Sequence, residues 1–277
     1  MWGVSGIRVL LVGAAAAVAL LSVAGTRTRA PGMAYIPAGA FVMGSDEGRE
    51  DEQPPHTLYL DAFAVDRYEV TVAEYADFLN ALGYLTGCAG HLCADVKAEN
   101  PQSHLVSRGN RYGAEPGFER YPVTWVSWYG AQAYCESSGK RLPTEAEWEK
   151  AARGPGERRF PWGNRFTPRL ANAGDTVGGT TPVGSYPDGA SPYGVFDMAG
   201  NVWEWVEDWY EPYPGSPYQS PFFGKYKVVR GGSWNHPVWD ARVSSRDIAH
   251  PARRLAVVGF RCAASDVWPW PRLVQAR

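Results

Sequence analysis

Tyr193-Gly-Val-Phe-Asp-Met-Ala-Gly-Asn-Val-Trp-Glu-Trp-Val-Glu-Asp-Trp209 gathers three indoles, a glycine turn and several side-chain oxygens into one short run. Asp197, Asn201 and Glu204 bracket Gly200, whose missing Cβ lets the backbone turn tightly. Carboxylate, amide and main-chain carbonyl oxygens held in such a loop suit a hard cation such as Ca²⁺. The plainer reading of the same residues is a tight turn followed by an aromatic-rich core segment. The choice depends on what accompanies the run elsewhere in the chain.

Three other segments do: Lys140-Arg-Leu-Pro-Thr-Glu-Ala-Glu-Trp-Glu149, Arg230-Gly-Gly-Ser-Trp234 and Val258-Gly-Phe-Arg-Cys262. In this order the four resemble the sulfatase-modifying-factor family, the formylglycine-generating-enzyme type of domain. The resemblance begins at Met33-Ala-Tyr-Ile-Pro-Ala-Gly-Ala-Phe-Val-Met-Gly44. It runs through Tyr68-Glu-Val-Thr71 and Tyr121-Pro-Val-Thr-Trp-Val-Ser-Trp128 to Cys262. It implies an irregular, loop-rich α+β fold, a relative of the C-type-lectin-like folds, low in regular secondary structure. The expected organisation is a single domain over residues 31–265, with a Trp/Pro-rich tail at 266–277.

Composition agrees with one loop-rich domain. No charge run, low-complexity stretch or repeat divides the 277 residues. The 31 Gly and 22 Pro make up about a fifth of the chain, above the usual share of about 12%. Twelve Trp accompany them as large aromatic anchors. A net charge of −2 without a Lys/Arg stripe argues against a nucleic-acid partner.

Residues 9–24 are apolar and rich in Ala, Leu and Val, with Arg8 before them and Arg27 and Arg29 after. The run is shorter than the roughly 20 residues a spanning helix prefers. Residues 1–30 therefore read as a secretory signal peptide, and an uncleaved membrane anchor over 9–24 is the alternative. Either way the protein is expected to be exported, periplasmic or secreted, and monomeric. Four cysteines suit export and permit three pairings. Cys88 and Cys93 lie close enough along one loop for a local bridge. The family resemblance implies a disulfide between Cys135 and Cys262.

Along the chain, residues 34–44 and 57–66 read as strands, the second alternating at Leu58, Leu60, Ala62 and Ala64. Between them, 45–55 is an acidic loop. Thr71 and Glu74 form a capping box for a helix over 72–82 that ends at Gly83. Residues 84–120 show no clear periodicity. Ser127 caps a helix through Ser138, and Thr144 with Glu147 caps another to about Arg153. Residues 226–230 and 256–261 read as short core strands.

The resemblance implies calcium at two places, one or two structural ions in all. One ligand set is Asp197, the Gly200 and Val202 carbonyls, and Glu204. The other is Asn172, the Ala173 carbonyl, Asp175 and the Val177 carbonyl, in a loop shorter than in vertebrate members. The redox site departs from the family pattern. Formylglycine-generating enzymes hold Cu(I) on two cysteines shortly after the Gly-Gly-Ser motif, a soft ion on soft ligands. Here His236 and Ala241 occupy those two positions, and no cysteine lies between Cys135 and Cys262. A copper bis-thiolate cannot be built, so no copper is expected.

The same region keeps Ser233, Asn235, His236, Asp240, Arg242, Arg246 and Asp247 together with Trp203, Trp234 and Trp239. His236 suits acid/base work near neutral pH. Arg242 or Arg246 suits a substrate carboxylate. The candidate catalytic set is thus His236, Ser233, Asp240, Arg242 and Trp203. The bland reading makes Arg246 and Asp247 a structural ion pair and His236 an exposed loop histidine. No Gly-x-Ser-x-Gly elbow supports a hydrolase triad, and no His-Glu-x-x-His or phosphate-cradling Gly-Lys-Ser/Thr run is present. The iron-binding histidine set of the ergothioneine-type members is missing too.

The sequence thus points to an exported protein of this family with a divergent cleft. It is not a true formylglycine-generating enzyme. Similarity to the pyoverdine-maturation oxidoreductase suggests that it oxidises or modifies a small molecule or peptide. The other reading is a non-catalytic, calcium-stabilised module that binds a peptide or glycan.

Overall fold

Helix α1 (Val72–Leu82) starts where Thr71 Oγ1 accepts the Glu74 N–H and Glu74 Oε2 accepts the Thr71 N–H. It stops at Gly83 in the left-handed conformation. These are the signals its sequence carried. The computed structural model describes residues 32–265; the signal-peptide or anchor segment and the tail fall outside them. Helices α2 (Trp128–Ser137) and α3 (Glu145–Arg153) follow the same logic. Ser127 caps the first, and a Thr144/Glu147 box caps the second.

The strands are short. β1 (Met33–Ile36) and β2 (Gly39–Met43) replace the single strand expected over 34–44, because Pro37 and the turn after it separate them. The run 57–66 likewise divides into β3 (His56–Leu60) and β4 (Phe63–Asp66). β2 and β3 pair with each other, while β4 turns away to pair with β1. In the stretch without periodicity, β5 (Leu105–Arg108) and β6 (Arg111–Ala114) form a hairpin.

The opening motif lies at the centre of the largest sheet. β7 (Trp203–Trp209) pairs antiparallel with β8 (Lys227–Arg230), which pairs with the edge strand β9 (Arg246–Ala249). On its other side β7 takes β10 (Val258–Gly259) in parallel. Of the strand expected over 256–261 only those two residues pair in this way. The chain then adds β11 (Ala263–Ala264) to β4, completing a β1-β4-β11 sheet. The result is an α+β fold in which loops carry most of the chain.

Tryptophans fasten the layers. Trp128 Nε1 donates to the Val206 carbonyl at 2.7 Å, and Trp205 Nε1 donates to Val126 O at 3.1 Å. One core groups Trp203, Trp205, Tyr75 and Phe260 around the Cys135–Cys262 disulfide, and a second surrounds Trp148. Cys88 and Cys93 form the other disulfide. Both expected bridges are present, and all four cysteines are used.

Among the described residues four arginines are no more than 2% exposed: Arg230, Arg242, Arg246 and Arg261. An unpaired buried cation is costly, so each needs a carboxylate. Arg230 has Glu145 and Glu149, Arg246 has Glu145, Arg242 has Glu52, and Arg261 has Glu204.

Candidate functional site

The 197–204 and 230–242 segments lie side by side. The Gly200 N–H donates to Gly231 O at 2.8 Å, and the Trp234 N–H donates to Asn201 O at 3.0 Å. Gly232 is required where the second segment folds on itself, because at φ +75° an added Cβ would stand 2.9 Å from the Asp240 carbonyl.

That turn presents Ser233, Asn235 and His236 together. Ser233 Oγ lies 2.9 Å from Asn235 Oδ1 and 2.6 Å from His236 Nδ1. With the hydroxyl proton donated to Asn235, the oxygen accepts from Nδ1–H, and Nε2 is left as the basic nitrogen of the neutral ring. The imidazole stands edge-on to Trp203 at 5.6 Å. Trp203 is buried, and its indole N–H has no acceptor among the described residues. The neighbouring 172–177 loop fixes the backbone: the Gly174 N–H donates to His236 O at 2.9 Å, and the Asp175 N–H donates to Trp234 O at 2.6 Å.

The other charged candidates face inward. Arg242 donates to both Glu52 oxygens at 2.7 Å and to Trp239 O at 2.8 Å, with its guanidinium over the Trp239 ring. Arg246 meets Glu145 rather than Asp247. Asp240 is buried against Arg49 at 2.5 Å. All three are held by charged partners within the protein. Asp247 differs: its hydrogen bond is to the Ile248 N–H at 2.8 Å. Burial raises its carboxyl pKa, while the charges of Arg49 and His236 oppose the rise. Glu52 and Arg49, from the acidic loop, were missed as site residues because their partners lie about 190 positions away.

The expected calcium loops meet at Asn201. Its amide donates to Glu69 Oε2 at 2.7 Å, and the Asn172 amide reaches its carbonyl oxygen at 3.4 Å. Two buried acceptors here have no donor, Glu69 Oε1 and Asn172 Oδ1. Asp197 is buried, accepts the Gly184 N–H at 2.6 Å, and has its pKa pushed up to about 6 by burial. Burial, then Asp197 and Glu204, raise Glu69 well above the ordinary carboxylate range. Carboxylates held against their ionised form beside orphaned oxygens fit a hard cation. Glu204 stands apart. Its oxygens accept Arg261 Nη2 and Nε at 2.7 Å each and Trp148 Nε1 at 2.9 Å. In the other loop, the Ala173 carbonyl accepts the Thr176 hydroxyl at 3.3 Å, Asp175 has a positive φ of 58°, and Val177 is exposed. Among the described residues no three His, Cys, Asp or Glu side chains form a metal-binding group. A cation here would therefore depend on carbonyl and amide oxygens as well. Glu69 was not among the expected ligands, although its Tyr-Glu-Val-Thr motif was legible.

The sequence profile of the sulfatase-modifying factor enzyme 1-like domain matches residues 20–266. The chain belongs to this family. It is 39% identical to the serine/threonine-protein kinase pkn1 of Chlamydia caviae over 83% of this chain, but it spans only 37% of that protein. It is 35% identical to the bovine (Bos taurus) formylglycine-generating enzyme, covering 89% of this chain and 78% of that one. It is 37% identical to the hercynine oxygenase of Mycolicibacterium smegmatis, with 84% and 62% covered. Among solved structures, PvdO from Pseudomonas aeruginosa superposes with a TM-score of 0.64 at 29% identity, covering 84% of this chain and 93% of that one.

Proposed function

We propose that this family member modifies or oxidises a small molecule or peptide at the 233–247 loop, without a copper bis-cysteine centre, and with His236 as its acid/base. The observation that carries the reading is the Ser233–His236 contact at 2.6 Å, which orients the ring and leaves Nε2 free to exchange a proton. No thiolate pair is available, since every cysteine is in a disulfide. The two disulfides also support our proposal that the protein is exported, as a monomer in the periplasm or outside the cell. Calcium would clamp the paired loops through Asp197, the Gly200 and Val202 carbonyls, Asn172, the Ala173 carbonyl, Asp175 and the Val177 carbonyl. It would supply rigidity rather than chemistry.

The test compares wild type with His236→Ala and His236→Gln on a small-molecule and peptide extract, read by mass spectrometry. A product made by the wild type and lost in both variants is expected. No wild-type product, or equal yield from the variants, overturns the reading. A co-expressed sulfatase peptide should gain no formylglycine above background. The internal pairing of Arg242, Asp240 and Arg246 favours one second reading, a non-catalytic module that binds peptide or glycan. Binding that survives His236→Ala without turnover would select it.

A further inference from the structure

Along the free edge of β9 lies an open cleft of about 610 Å³. That is the size of a small-molecule site. Tyr218, Phe222 and Ile248 form its apolar wall, and Phe222 is 42% exposed. Arg49 and Arg246 line it too, but each is already neutralised from outside the lining, by Asp240 and Glu145 respectively. Three carboxylates on the wall have no ion-pair partner among the described residues. The Asp51 carboxylate receives only the Tyr210 hydroxyl among the described residues, at 2.8 Å, while its main-chain oxygen takes Arg246 Nη1. The Asp247 carboxylate receives only a backbone N–H, and the exposed Glu50 side chain has no hydrogen bond among the described residues. The field in the cleft is therefore negative beside aromatic faces, an arrangement that attracts cations. Arg49 links the cleft to the proposed reaction site, because it pairs with Asp240 of the same 233–247 loop.

We infer that this cleft holds an organic cation, an ammonium or guanidinium carried on an apolar or aromatic body, and presents it to His236. The inference names the substrate class for the function proposed above and rests on that reading. The cation would sit between Asp247 and Glu50, with its body against Phe222 and Tyr218.

Titration calorimetry of the full chain with 2-phenylethylammonium and with uncharged 2-phenylethanol tests it directly. The ammonium should bind about tenfold more tightly than the alcohol, as one charge-assisted contact implies. Asp247→Asn should lose about the same factor, and Asp247→Glu should restore part of it. Phe222→Ala should weaken binding severalfold. Should Asp247→Asn not fold, the exposed Glu50→Gln serves in its place. A blocked lysine peptide run in parallel separates the sources: tighter peptide binding means a peptide substrate, and tighter free-amine binding means a small molecule. Equal affinity for ammonium and alcohol, no binding of any probe, or an unchanged Asp247→Asn overturns the inference. Binding of the ammonium by wild type without turnover would sink the proposed reaction and leave the cleft assignment standing.

Discussion

Replacing Glu204 with glutamine probes one of the two fully enclosed ion pairs among the described residues. Glu204 and Arg261 are both 0% exposed, joined by two contacts of 2.7 Å, and the indole of Trp148 binds the same carboxylate. Glutamine keeps one acceptor but removes the charge and places an NH₂ against a guanidinium. Arg261 would retain the Phe196, Asp66 and Arg67 carbonyls, which are neutral. Breaking a buried pair in this way costs about 3–5 kcal/mol. At about 2–4 °C per kcal/mol for a domain of this size, the midpoint should fall by about 6–20 °C. The assay is thermal and urea unfolding of wild type and Glu204→Gln, each with calcium and with EDTA. EDTA should lower the wild-type midpoint if calcium clamps the loops, while the Glu204→Gln decrement should be the same in both buffers. A decrement below about 1 kcal/mol would show that the pair is not the anchor described. A decrement that vanishes in EDTA would assign the Glu204 oxygens to the cation instead of to Arg261.

Removing the Cys135–Cys262 bridge, which spans 127 residues, should cost about 5 kcal/mol, and removing Cys88–Cys93, which spans 5, about 2 kcal/mol; urea midpoints of the two double-serine variants give the ranking. Asp208 has its pKa raised to about 6, first by burial and then by Glu145. A carboxyl raised on folding contributes stability that is full below its unfolded pKa and is lost as pH rises through about 6. Asp208→Asn should therefore flatten the decline in melting midpoint between about pH 4 and 7, by no more than about 3 kcal/mol, and an unchanged slope counts against it. Gly200→Ala would put a Cβ 2.2 Å from Asn172 O at a φ of +83°, so a loss of about 2–5 kcal/mol is expected in the same unfolding assay.

The helices were readable because their signals are local. Thr71 with Glu74 and Thr144 with Glu147 lie within one turn, and nothing distant had to be known. The hairpin of β5 and β6 escaped, although Gly109-Asn110 is a two-residue turn signal. Only Leu105 of its strands is buried, and Leu-Val-Ser-Arg and Arg-Tyr-Gly-Ala do not alternate apolar with polar, so no period announced them. β7 was legible as a core segment but not as a strand, since its first four residues are all buried and period two is erased. The site was legible at the level of motif. His236 and Ser233 do meet, and the two loops they depend on do lie together. What sequence could not supply was partnership over distance. Arg242 and Arg246 looked like ligand-binding groups until Glu52 and Glu145, 190 and 101 positions away, proved to own them.

Residues 246–264 supply the outer strand of one sheet, the parallel strand beside β7 and the last strand of the other sheet. They also bring Arg261 to Glu204 and Cys262 to Cys135. A nascent chain that has not yet released this segment holds a dry acid without its base, a lone thiol and two unfinished sheets. Folding of the whole must wait until this segment has emerged, and chaperones have that interval in which to guard the tryptophan-rich middle.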